Sequence, residues 1–296
     1  MSATTRAGCA LLLLAAACAA PVATRPVPVN TTPVAVTPVV PVTLPTTVVR
    51  YAIPATMVPS RYAVVSVATV SRDSAGRRVQ QSLETRGTVS MQLQRRSDGA
   101  FSGSGQVTGY RLTSPLGATP VSIDSVRFDA VLDGSALRVV SRPPLVNECD
   151  QPETGALALA RDLLWRVPTA VSVGTTWRDS TVQLVCRAGI PLVVRAVHQY
   201  LVTGATGSGD GAMLQLQRTD STRLEGKGSS PWRALEVTGS GSGQWSAQLA
   251  VRTGVLSQLR GESTLTLRMA DRSPSGVGRV EELTQQLRLT ADWQRD

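Results

Sequence analysis

Beyond Arg61 the chain alternates apolar and polar residues with period two. In Val126-Arg127-Phe128-Asp129-Ala130-Val131-Leu132 the even positions are apolar and those between are mostly polar, the pattern of a strand with one wet face. Val89-Ser90-Met91-Gln92-Leu93, Trp245-Ser246-Ala247-Gln248-Leu249, Leu265-Thr266-Leu267-Arg268-Met269 and Leu287-Arg288-Leu289-Thr290-Ala291 repeat it. Such segments predict half-exposed antiparallel strands. Ser97-Asp98-Gly99, Asp133-Gly134 and the glycine-rich 207–211 segment separate them and suit hairpin turns. The 239–243 tract, also rich in glycine, reads as a hairpin loop or a strand-edge kink.

One segment breaks the rhythm. Asp150-Gln151-Pro152-Glu153 offers a cap, an early proline and an acidic first turn, and strong helix formers run from Ala156 to Trp165 before Pro168. Ala156, Leu157, Ala160, Leu163 and Leu164 fall on one face, which predicts a single amphipathic helix over 153–166. The expected fold is therefore mainly β: a large curved antiparallel sheet or open half-barrel carrying one amphipathic helix, or alternatively a β-sandwich. Residues 61–296 suit a single β-rich domain. Gly103-Ser104-Gly105-Gln106 recurs as Gly241-Ser242-Gly243-Gln244, a hint of two similar β halves.

The start of the chain is of another kind. Arg6 precedes the apolar run 10–17, a charged and then apolar leader too short to span a bilayer as a mature helix, so residues 1–17 read as an export signal. Ala15-Ala16-Ala17-Cys18 resembles a bacterial lipobox, with Leu14 one place further upstream than the motif favours. The resemblance implies lipidation of Cys18; the alternative is cleavage after residue 19. From Pro21 to Pro59 the chain carries nine of its 18 prolines among Val, Thr and Ala. Proline fixes φ and removes donors, so 18–60 is expected to be a disordered, extended stalk, the spacer a membrane anchor needs.

Composition adds compartment more than chemistry. The net charge is +9, and Lys227 is the only lysine among 30 basic residues. Arginines alternate with Ser, Thr and Gln along the strands, so they read as solvated faces. Export and an aromatic content of 4% argue against nucleic acid as a partner. Cys9 lies in the signal and Cys18 at its end, which leaves Cys149 and Cys186 to form one disulfide in an oxidising compartment. Closing that loop would stabilise the domain by about 4 kcal/mol.

The sequence offers little catalytic machinery. His198 is the single histidine, on an apparent strand, and no C-x-x-C or H-E-x-x-H spacing marks a metal site. Any Ser-His-Asp arrangement must use His198, and no G-x-S-x-G elbow is present. Asp129 is expected on the wet face and Asp133 in a turn, which spoils a carboxylate pair. No cofactor is expected.

Val171-Ser172-Val173-Gly174-Thr175-Thr176-Trp177 resembles a V-x-V-G-x-x-W segment of uncharacterised β-rich bacterial envelope proteins, some similar to the half-barrels of lipoprotein carriers. The resemblance spans about twenty residues, 167–185, and implies an extracytoplasmic curved sheet that shelters an acyl chain. The residues by themselves read as a Trp177 buried after a Gly174 turn. Together these readings predict a non-enzymatic, lipid-anchored protein of the bacterial envelope, at the outer membrane or alternatively periplasmic or secreted. It would bind a lipid or another hydrophobic or amphipathic ligand, or act as a scaffold. The competing expectation is a secreted hydrolase using His198.

Overall fold

A computed structural model describes residues 48–74, 77–113, 120–145, 153–187, 190–230, 233–271 and 280–294. Eleven strands close into one barrel. In chain order they are β2 (Ser60–Ser74), β3 (Arg77–Arg95), β4 (Phe101–Thr113), β5 (Val121–Asp133), β6 (Ala136–Arg142), β8 (Thr176–Arg187), β9 (Ile190–Thr206), β10 (Met213–Ser230), β11 (Arg233–Ala250), β12 (Val255–Asp271) and β13 (Val280–Gln294). A separate two-stranded sheet pairs β1 (Arg50–Ala52) with β7 (Ala170–Ser172).

Neither a half-barrel nor a sandwich forms, because β13 pairs along β2 and every neighbour around the ring is antiparallel except one. That exception is a seam. β6 meets β8 in parallel through a single pairing, Ala136 with Val182, where the Val182 N–H donates to Ser135 O at 2.7 Å. A parallel connection needs a crossover, and the chain between β6 and β8 supplies it with the only α-helix among the described residues, α1 (Glu153–Asp162).

Period two decides which way each side chain points. Leu214, Leu216, Leu224, Trp245, Ala247 and Leu249 are buried inside the barrel. The intervening Gln215, Gln217, Thr219, Ser221, Arg223, Glu225, Ser240, Ser242, Gln244 and Ser246 are exposed. A barrel in contact with lipid carries an apolar outer band, so these strands present a wall suited to water.

The helix is shorter than expected, ending at Asp162, and it lies against the inner wall instead of covering a sheet from outside. Ala156, Leu157, Leu159 and Ala160 are buried with Phe128, Val139 and Tyr110. Beyond the helix Leu163, Leu164 and Trp165 stay buried, with the Leu163 and Leu164 N–H groups donating to Ala160 O and Arg161 O in a closing turn, so the apolar run outlasts the helix. The glycines at 87 and 155 face this contact: a Cβ at Gly155 would stand 2.4 Å from the Tyr110 hydroxyl.

Other expectations shift as well. The compact domain begins ahead of residue 61, since β1 and the buried Ile53 and Met57 fall within the segment read as stalk. The 97–99 and 133–134 turns are hairpin loops, with Gly99 and Gly134 at positive φ. The 239–243 tract is not a loop; it lies in the middle of β11 with its glycines inward. Gly261 and Trp245 face each other across β12 and β11, and a Cβ at Gly261 would fall 1.8 Å from Trp245 Cε3. Gly105 serves Phe128 in the same way between β4 and β5. These glycines let an aromatic ring lie flat on the sheet.

Candidate functional site

The inward residues of β8 to β10 depart from the apolar rule at one level of the barrel. Register places Asp179 opposite His198 and His198 opposite Asp220, on three adjacent strands. One step along, Trp177, Tyr200, Arg218 and Trp245 form the next row. On the other side come Thr181, Ala196 and Thr222. This polar belt separates the main core, which holds Trp165, Tyr200 and Trp245, from a smaller apolar cluster of Ile190, Leu192, Leu224, Val237 and Leu267.

Within the belt the hydrogen bonds run in a chain. His198 Nδ1 donates to Asp220 Oδ1 at 2.7 Å, which leaves Nε2 as the acceptor for the Thr181 hydroxyl at 3.1 Å. Arg218 Nη2 donates to the other oxygen of Asp220 at 2.9 Å. The Arg218 guanidinium lies between the rings of Trp165 and Trp245, 4.7 Å from each centroid, an arrangement that favours a cation over two π faces. Trp177 stacks on Tyr200 at 4.9 Å between centroids and donates from Nε1 to Arg166 O at 2.7 Å.

Asp179 is the exception in this network. Only 7% exposed, it makes no well-formed hydrogen bond with either carboxylate oxygen; the Tyr200 hydroxyl approaches it, His198 lies opposite it on the next strand, and Arg166 and Arg218 act on it through charge. Burial pushes its carboxyl above the ordinary value, with the two guanidiniums among the groups opposing the rise. Asp162, at the end of α1, is pushed up to about 6, by burial first and then by the charge of Asp220, with Arg218 and Arg161 opposing. Burial also raises Tyr200.

A cavity of about 200 Å³ lies against the belt. Leu132 and Leu137 on one side of the β6/β8 seam and Asp179, Thr181 and Gln183 on the other are among its walls. Leu164, Leu265 and Leu287 give it apolar surface, and Asp162, Arg166 and Arg218 add charge. Among the described residues no three His, Cys, Asp or Glu side chains converge as a metal site.

Of the residues singled out from sequence, His198 faces this cavity and is joined to Asp220 and Thr181. Asp129 points outward, bound by Arg142 at 2.6 Å, and Asp133 sits at a turn. Trp177 follows the Gly174 turn, where φ is +84°, and is half-buried. Cys18 and Cys149 lie outside the described residues, and of Cys186 the backbone on β8 is described, opposite Pro191. Asp179, Arg218 and Asp220 were not singled out. The signal was present: Arg218, Asp220 and Thr222 interrupt β10 on the same phase as Leu214, Leu216 and Leu224.

No protein-family model matches the chain, and no curated protein matches it in sequence. Among solved structures it superposes on Pseudomonas aeruginosa OccK2 (OpdF) in complex with glucuronate at 8% identity and a TM-score of 0.27, covering 83% of this chain and 100% of that one. P. aeruginosa OpdQ gives 7% identity and a TM-score of 0.20 over 82% and 99% of the two chains. A DUF1329 family protein from Desulfovibrio piger gives 9% and 0.15 over 80% and 85%. Likenesses this loose carry no functional argument.

Proposed function

We propose that this protein is an exported, lipid-anchored envelope protein, held to the membrane through Cys18, whose barrel binds a small amphipathic ligand in the cavity behind the β6/β8 seam. The observation that carries the binding reading is the polar belt set between two apolar clusters inside the barrel. Buried polar groups are costly unless matched, and here they gather against a cavity with leucine walls on its other sides. The volume exceeds the roughly 150 Å³ that accepts benzene and falls below the pockets of drug-sized molecules. It therefore suits a small ring or short chain with a polar head, not a long acyl chain.

Extraction of the mature protein from its native envelope, followed by mass analysis, tests both parts. A diacylated Cys18 and a small molecule released on denaturation are expected. A terminus at Ala20 without lipid overturns the anchor, and the absence of any released molecule counts against a resident ligand. The same spectrum reports a Cys149–Cys186 disulfide as the loss of two hydrogens.

A second reading is favoured by the chain from Asp220 through His198 to Thr181. A carboxylate, an imidazole and a hydroxyl in this order can activate the hydroxyl as a nucleophile. Thr181 Oγ1 would bond to an ester carbonyl carbon while its proton passes to His198 Nε2. The ester C–O bond then breaks, and the leaving alkoxide takes that proton. Water repeats the sequence, releasing the acid and restoring Thr181.

A further inference from the structure

We propose that the ligand head group is a cation, an ammonium or guanidinium, and that Asp179 is its counter-ion. The inference rests on the binding reading above and names the chemistry of its ligand.

The argument comes from where the arginines of the cavity spend their donors. Arg218 gives Nη2 to Asp220 and is held between two indole rings. Arg166 turns both Nε and Nη2 to the Asp98 carbonyl, at 3.1 and 2.8 Å. Arg161 donates to the Val139 carbonyl. Each basic side chain on the cavity thus has at least one donor on another acceptor, although the buried Nε of Arg218 has none, while Asp179 stays buried on its wall without a well-formed bond.

A carboxylate desolvated in this way is stabilised by any donor that reaches it, and most by one that carries charge. An anionic head would meet Asp179, Asp220 and Asp162 on the same cavity, where Arg218 is already paired with Asp220. A cationic head meets a carboxylate on one side and the Tyr200 ring on the same wall, and aromatic faces add to cation binding. The leucines opposite then take an apolar body.

Calorimetric titration of the folded protein with benzylamine, benzyl alcohol and benzoate tests this, because the three share a ring and differ in head charge. At neutral pH benzylamine is expected to bind at least tenfold more tightly than benzyl alcohol, with benzoate weakest. In Asp179→Asn, which nearly keeps the side-chain shape, the amine and alcohol should bind within about threefold of each other. Equal affinities in the wild type, or a preference for benzoate, would overturn the cation while leaving ligand binding in place. Binding of none of the three would remove both readings and assign the cavity to water. If the variant fails to fold, the wild-type ranking decides alone.

Discussion

His198 Nδ1 lies 2.7 Å from Asp220 Oδ1 across the neighbouring strands β9 and β10, and the same carboxylate holds Arg218 through its other oxygen. One aspartate therefore orients the imidazole and neutralises the guanidinium. Both Arg218 and Asp220 are close to fully buried, at 7% and 10% side-chain exposure.

Replacing Asp220 should be costly because it leaves Arg218 buried without its counter-ion. Breaking a buried pair from one side costs about 3 kcal/mol. Asp220→Asn is expected to lower unfolding stability in urea by about that amount, whereas Asp129→Asn, on the exposed outer face, should change it by less than about 1 kcal/mol. Equal effects would mean that the belt contributes no more than a surface pair.

Trp245 makes the second test. Its ring occupies the space a side chain at Gly261 would need, and it forms one half of the Arg218 sandwich. Gly261→Ala must push the indole aside. We expect a loss of about 1–3 kcal/mol, as for overpacking, with a changed near-ultraviolet dichroism from the displaced indole. Gly211→Ala is the control, since nothing lies near its Cβ position and its φ is not positive. It should leave both readings unchanged.

How much of this was legible depended on the distance over which each feature acts. The facing of Asp129 and the Gly99 and Gly134 turns follow from neighbours within a few residues, and each can be read from the chain, whereas Trp177, expected buried, is half-buried. Closure of the ring depends on β13 meeting β2 across more than two hundred residues, and a period of two says which face is wet without saying how many strands surround it. The polar belt is intermediate. Arg218 and Asp220 stand in phase with the inward leucines of β10 and so mark polar residues inside the barrel, but only the register of three strands brings Asp179, His198 and Asp220 together. The glycines of β11 look like loop formers locally but sit in the middle of a strand, where a Cβ at Gly239 would press on Leu267 and one at Gly243 on Trp245 Nε1.

The hydroxyl of Thr181 separates binding from catalysis. If the Asp220–His198 pair activates it, the protein should hydrolyse p-nitrophenyl acetate faster than the buffer does. Thr181→Ala and His198→Ala should each lose at least tenfold of that rate, a modest demand for removal of a nucleophile or a general base, while Thr181→Ser retains it. Rates that do not differ between the wild type and Thr181→Ala would dismiss the second reading. The hydrogen bond to His198 would then be one of structure alone.

Asp162 gives a prediction in pH. Its carboxyl is raised from 3.8 to about 6 in the folded protein, so the folded state binds the proton over a range in which the unfolded chain has released it. Stability from this group is therefore lowest above pH 6, rises as the pH falls through about 6, and levels off below about 4. The full difference corresponds to at most about 3 kcal/mol, less to the extent that water reaches the partly buried side chain. Asp162→Asn is neutral throughout and should be more stable than the wild type at pH 7, with the advantage vanishing at pH 4. Comparing the two proteins cancels the other titrating groups, including Asp179, whose shift has the same sign. Urea unfolding of both at pH 4, 5, 6 and 7 measures it. An advantage that is constant across this range would show that Asp162 does not take up its proton within it.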